Sequence, residues 1–100
     1  MPITVSSSGN VARISLSGDF DFSSQEMLKQ AIEQAINAEV QEIEIDLKNT
    51  SFIDSSVIRL FLKLRDMAMK NNRPLTIVNC SERILEIFVI GGFDQIFNIN

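Results

Sequence analysis

The chain has 100 residues, room for one compact domain spanning residues 1–100 and not for two. Hydrophobic residues make up 45% and charged residues 22%, which excludes a disordered chain. The net charge is −4 and the basic side chains are scattered, apart from Arg59, Lys63, Arg65 and Lys70, so a nucleic-acid-binding surface is excluded as well.

Residues 3–5 (ITV) and 11–17 (VARISLS) alternate over short runs, and the intervening SSSGN supplies turn residues, so the two read as an antiparallel hairpin. Residues 18–22 (GDFDF) read as a loop. Ser23 and Glu26 then stand at capping-box spacing, ahead of a helix whose apolar stripe is Met27, Leu28, Ala31, Ile32, Ala35 and Ile36. Residues 41–47 (QEIEIDL) alternate strictly, as a half-buried strand does. A second helix follows FIDSS and runs to about Asn71, where NNRP breaks it; LTIVN (75–79) is the next strand. Ser81 caps ERILEIFVI, Gly91-Gly92 ends that helix, and QIFNI (95–99) reads as a short closing edge strand. Parallel strands covered on both faces would be continuous apolar runs, whereas here every second position is polar in three strands. The expected fold is therefore α/β with an α+β-like mixed sheet, about four to five strands, and three to four helices packed on one face.

The second helix is apolar on more than one side. At about 100° per residue, Val57, Leu60, Phe61, Leu64, Met67 and Ala68 form the core arc, and Arg59, Lys63, Asp66 and Lys70 form the solvated side. Ile58, Leu62 and Met69 make a second stripe, with Ser55 projecting beside it and Ser56 nearer the core arc. Two readings stay open: a docking strip for a partner, or a strip covered by another element of the chain. Asp54-Ser55-Ser56 is likewise either a helix cap alone or a phosphorylation switch. The helix N-terminus offers free N–H groups and partial positive charge that suit a phosphate.

Histidine is absent, which removes the commonest general base, the commonest zinc ligand and every triad built on imidazole. Cys80, the single cysteine, follows a buried-strand pattern and reads as a small apolar side chain in a reducing compartment. No apolar run reaches the roughly 18 residues of a membrane span. MPITVSSSGN lacks the basic and apolar regions of a signal peptide, so a cytoplasmic protein with no membrane partner is expected. No catalytic residue, cofactor or metal is expected.

SFIDSSVIRLFLKL, preceded by EIEIDLKNT, resembles the signature of STAS domains, specifically the bacterial anti-sigma factor antagonists. ARISLSGDFDF is similar to that family's second strand and Gly-x-x-Asp loop, matched by Gly18 and Asp21. ERILEIFVIGGFDQIFNI is similar to its third helix, glycine turn and closing strand. The resemblance implies a STAS-type fold and a role as an anti-sigma factor antagonist, not an enzyme. In such a protein the unphosphorylated form binds an anti-sigma factor that is also a GHKL-type serine kinase, releasing a sigma factor. Phosphorylation, carried over here to Ser55 with Asp54 before it, ends that binding, and a serine phosphatase is implied as a second partner. The implied partner surface takes in Asp21, Asp54, Ser55, Ser56, Ile58, Leu62 and Met69, on a chain expected to be a monomer when free. Val57 is a departure: the family often has glycine there, and the valine could narrow a kinase's approach to Ser55. The alternative within the family is an accessory subunit of an ATP-driven lipid transporter or of a larger signalling assembly. A receiver-like site with magnesium held by Asp19, Asp21 and Asp54 fails, because the chain opens on a hairpin and LTIVNCSE offers no lysine.

Overall fold

The computed structural model describes residues 2–100. Its elements run β1 (Ile3–Ser8), β2 (Val11–Phe20), a 3-10 turn (Phe22–Ser24), α1 (Gln25–Asn37), β3 (Glu42–Ile53), α2 (Ser55–Lys70), β4 (Leu75–Val78), α3 (Glu82–Ile90), a second 3-10 turn (Phe93–Gln95) and β5 (Asn98–Ile99). One mixed sheet has the order β1-β2-β3-β4-β5. The β1–β2 pair is antiparallel, and the β2–β3, β3–β4 and β4–β5 pairs are parallel. Each parallel step carries a helix as its crossover, as parallel neighbours require.

The middle of the sheet follows from strand periodicity. Register places Ala12 beside Ile43 and Ile43 beside Leu75, then Ile14 beside Ile45 and Ile45 beside Ile77. All six are buried beneath the helices. On the opposite face the same strands present Arg13, Glu44, Asp46 and Thr76. Arg13 bridges Glu44 at 2.8 Å and reaches Asp46 at 3.6 Å, while Asn79 donates to Asp46 at 3.0 Å. One face is covered and the other is open.

Beyond Ser15 and Asp46 the pairing shifts twice, between Ser15 and Ser17 and again between Gly18 and Asp19. These are bulges with the extra residue on β3 each time, so β3 changes phase while β2 keeps its alternation through Phe20. Gly18, at φ 98°, supplies the backbone conformation that the irregularity needs. Past Leu47 the buried positions of β3 are Thr50 and Ile53, three apart instead of two. Buried Thr50 meets its need for a partner by donating its Oγ1 to the Leu16 carbonyl at 2.9 Å. The strands therefore run on to Phe20 and Ile53, past the ends at 17 and 47 expected from strict alternation.

Three features differ from expectation. The box expected at Ser23 and Glu26 forms earlier. Asp21 caps the 3-10 turn, accepting from Ser23 N at 2.9 Å, while Ser24 Oγ accepts from Asp21 N at 3.3 Å. The short turn lets Asp21 act before α1 starts at Gln25. Met27 is 45% exposed and leaves the α1 stripe, which keeps Leu28, Ala31, Ile32 and Ala35 buried and Ile36 half-buried against the core. The closing strand shrinks to Asn98–Ile99, because Phe93–Gln95 turns as 3-10 helix. Phe97 between them is buried edge-on against Phe88 of α3, centroids 5.6 Å apart.

Candidate functional site at the N-terminus of α2

β3 ends at Ile53 and Asp54 turns the chain into α2. Asp54 is extended (φ −98°, ψ 175°), the backbone of an N-cap. Its Oδ1 accepts from Val57 N at 3.0 Å and from Ser56 Oγ at 2.6 Å. Asp54 therefore caps the helix, and Ser56 is fastened to the cap. Burial works to raise the Asp54 pKa. The Ser56 hydroxyl, with the Val57, Ser56 and Phe22 amides, outweighs it and holds the carboxyl below the ordinary 3.8.

Ser55 is the first residue of α2 and is exposed. Its hydroxyl makes no hydrogen bond among the described residues, so the two serines differ in kind. Arg59 lies four residues on, the spacing of neighbours on one helix face, and is exposed. Val57, where the resemblance leads one to expect glycine, is fully buried in the core.

The β2 end lies against this cap. Asp54 N donates to Phe20 O at 3.3 Å, and Asp21 follows directly. Asp21, Asp54, Ser55 and Ser56 thus share one end of the sheet. Phe22 is 69% exposed there, in a groove of about 480 Å³ that it shares with Gln25, Ser56, Arg59, Leu60 and Lys63. Phe52 is 46% exposed, just before the turn into α2. An exposed aromatic in a groove at the head of α2 suits protein docking. Reading the sequence alone missed Phe22, Phe52 and Arg59. The signal was two phenylalanines in otherwise polar contexts, GDFDF and NTSF.

The strip of Ile58, Leu62 and Met69 does not stand as drawn. Ile58 is fully buried, in one hydrophobic cluster with Ile84 and Phe88 of α3. Leu62 is half-buried against that cluster, and only Met69, 50% exposed, faces solvent. α2 is apolar on two sides because it is an inner helix, and at Ile58 the covering element belongs to this chain. Ile58 is therefore withdrawn from the partner surface.

Among the described residues no three His, Cys, Asp or Glu side chains gather as metal ligands, and Asp19, Asp21 and Asp54 form no such cluster. No helix among them is long and apolar enough to cross a membrane.

A family model described as "STAS domain" matches residues 2–100. A STAS-domain containing protein of Pseudomonas aeruginosa is 32% identical over 95 residues, covering 95% of this chain and 93% of its own length. The anti-sigma-B factor antagonist of Bacillus subtilis is 26% identical over 98 residues, covering 98% of this chain and 89% of its own. Among solved structures, an anti-sigma factor antagonist from Mycobacterium paratuberculosis superposes with a TM-score of 0.84 at 21% identity, over 97% of this chain and 82% of that one. With a five-stranded mixed sheet, three helices on one face and a family match along the whole described chain, this protein belongs to the STAS domain family.

Proposed function

We propose that this chain is an anti-sigma factor antagonist switched by phosphorylation at Ser55. Unmodified, it binds an anti-sigma factor that is also a GHKL-type serine kinase, and a sigma factor is released. A serine phosphatase resets the modified form. The observation that carries the reading is the contrast at the head of α2. Ser55 is exposed with an unengaged hydroxyl, while Ser56 donates its proton to Asp54.

The chemistry follows from that placement. A phosphate on Ser55 adds about −1.5 to −2 charges at the positive end of the α2 dipole, with the Arg59 cation one turn on. The helix tolerates it without unfolding. A partner seated over Phe22 and the head of α2 must then desolvate a dianion, and that ends binding. Burial of Val57 supports the reading, since its side chain packs in the core while Ser55 is exposed.

The test is a pull-down from lysate with and without ATP, using wild type, Ser55→Ala and Ser55→Asp. The expected result is a kinase retained by wild type without ATP, retained by Ser55→Ala under both conditions, and lost by Ser55→Asp. Recovery of a transporter ATPase by all three would overturn the reading.

A further inference from the structure

The sheet has two edges, and they differ. β5 is two residues long, too short to template anything. β1 has six residues, Ile3–Ser8, and none of the usual protections of an edge beyond Pro2 at its start. No charged side chain occurs between Pro2 and Ala12. The neighbouring flank of α1 is uncharged too: Met27, Gln30, Ala31 and Gln34 line a groove of about 540 Å³ with Pro2, Ile3, Thr4 and Val5. In a chain where 22% of residues carry charge, this border is bare.

The backbone of β1 says which groups are on offer. Ser17 N donates to Pro2 O at 2.8 Å, and Ile3 pairs with Leu16, so Pro2 and Ser17 form a hydrogen-bonded pair. Antiparallel ladders alternate, so Thr4, Ser6 and Ser8 also turn their N–H and C=O groups toward β2. Ile3, Val5 and Ser7 turn theirs outward, where no strand meets them among the described residues.

We propose that β1 pairs antiparallel with β1 of a second copy, with Val5 on the two-fold axis and Ile3 opposite the partner's Ser7. That register satisfies the outward groups of all three residues in both copies. It is self-complementary, as a two-fold interface must be, and sets no like charges against each other. A charged partner strand would find no counter-charge on β1 itself or on the α1 flank, and Arg13 on the next strand is already paired with Glu44, which favours the chain's own copy as occupant. An axis normal to the sheet puts both α1 helices on one face, with the half-exposed Met27 side chains flanking the seam. Ser55 follows β3, two strands in from this edge, and stays accessible in the pair. A weak dimer replaces the monomer expected from the sequence.

Sedimentation equilibrium over a range of concentrations, with amide exchange read by NMR, tests this. The expected result is a concentration-dependent dimer in which the Ile3, Val5 and Ser7 amides gain protection while Thr4 and Ser6 change little. Ser7→Pro removes one outward donor per copy and should weaken the dimer about tenfold without shifting the melt. Thr4→Cys mixed with Ser6→Cys, both in a Cys80→Ala background, should give a mixed disulfide, since those positions face each other closely in this register. A monomer at every concentration overturns the proposal. So does a dimer without that cross-link, or protection of the three amides that appears only when another protein is added.

Discussion

The two halves of the β2–β3 pair make an instructive contrast. From Val11 to Ser15 it pairs in step with β3, buries alternate residues and carries an ion cluster on its open face. From Ser17 to Phe20 the register shifts, a glycine takes a positive φ, and the strands deliver two aspartate caps, two exposed phenylalanines and an exposed serine. The regular half builds the core, with Ile14, Ile45 and Ile77 in a row. The irregular half re-aims side chains. Bulges at a sheet's end place Asp21, Phe22, Phe52 and Ser55 where an unbroken pleat would not. Core and proposed switch are thereby separated along one pair of strands.

The largest effect expected should come from the core side. Ile58→Glu buries a carboxylate without a partner and should abolish cooperative unfolding, since such a group costs several kcal/mol of the roughly 5–15 a small domain has. A thermal melt that stays cooperative near wild type would return Ile58 to the surface. Next comes Ser55→Asp. Partner affinity by titration calorimetry should fall about a hundredfold, roughly 2.8 kcal/mol, while the melt stays within about 0.5 kcal/mol of wild type. Loss of both fold and binding would erase the separation between the two halves.

Smaller effects sharpen the contrast. Asp54→Ala removes a cap and the anchor of Ser56, and should cost about 1–2 kcal/mol in urea unfolding near neutral pH. The Asp54 carboxyl lies below its ordinary 3.8 when folded, so its contribution is complete above that value. It is lost as pH falls through the lower folded value. The gap between wild type and Asp54→Ala should therefore narrow on acidification; a gap that widens in acid would contradict the cap. Thr50→Val strands the Leu16 carbonyl at the bulge and should cost about 1 kcal/mol in the same assay, with partner affinity little changed.

The regular half was legible in the sequence because period-2 alternation in 11–17 and 41–47 survives intact. The irregular half was not, because each bulge adds a residue to β3 and resets the phase of that strand. Lys48, Asn49 and Ser51 interrupt the pattern while the strand continues, and a polar Thr50 occupies a core position. Helix ends were legible where one residue decides them, as at Ser81, whose Oγ accepts from Ile84 N. At α1 the choice between Ser23 and Asp21 turned on a 3-10 turn that no periodicity announces. Ile58 misled for another reason. Helical spacing shows that a side of α2 is apolar, and only tertiary packing shows that at Ile58 this side is filled by the chain's own core.

The claim that the exposed serine at the bulged end is the switch is tested most directly by phosphosite mass spectrometry. Wild type, Ser55→Ala and Ser56→Ala would each be incubated with ATP and the kinase that co-purifies with wild type. Modification on Ser55 in wild type and in Ser56→Ala, and none in Ser55→Ala, is the expected result. Phosphate confined to Ser56, or persisting in Ser55→Ala, would contradict it.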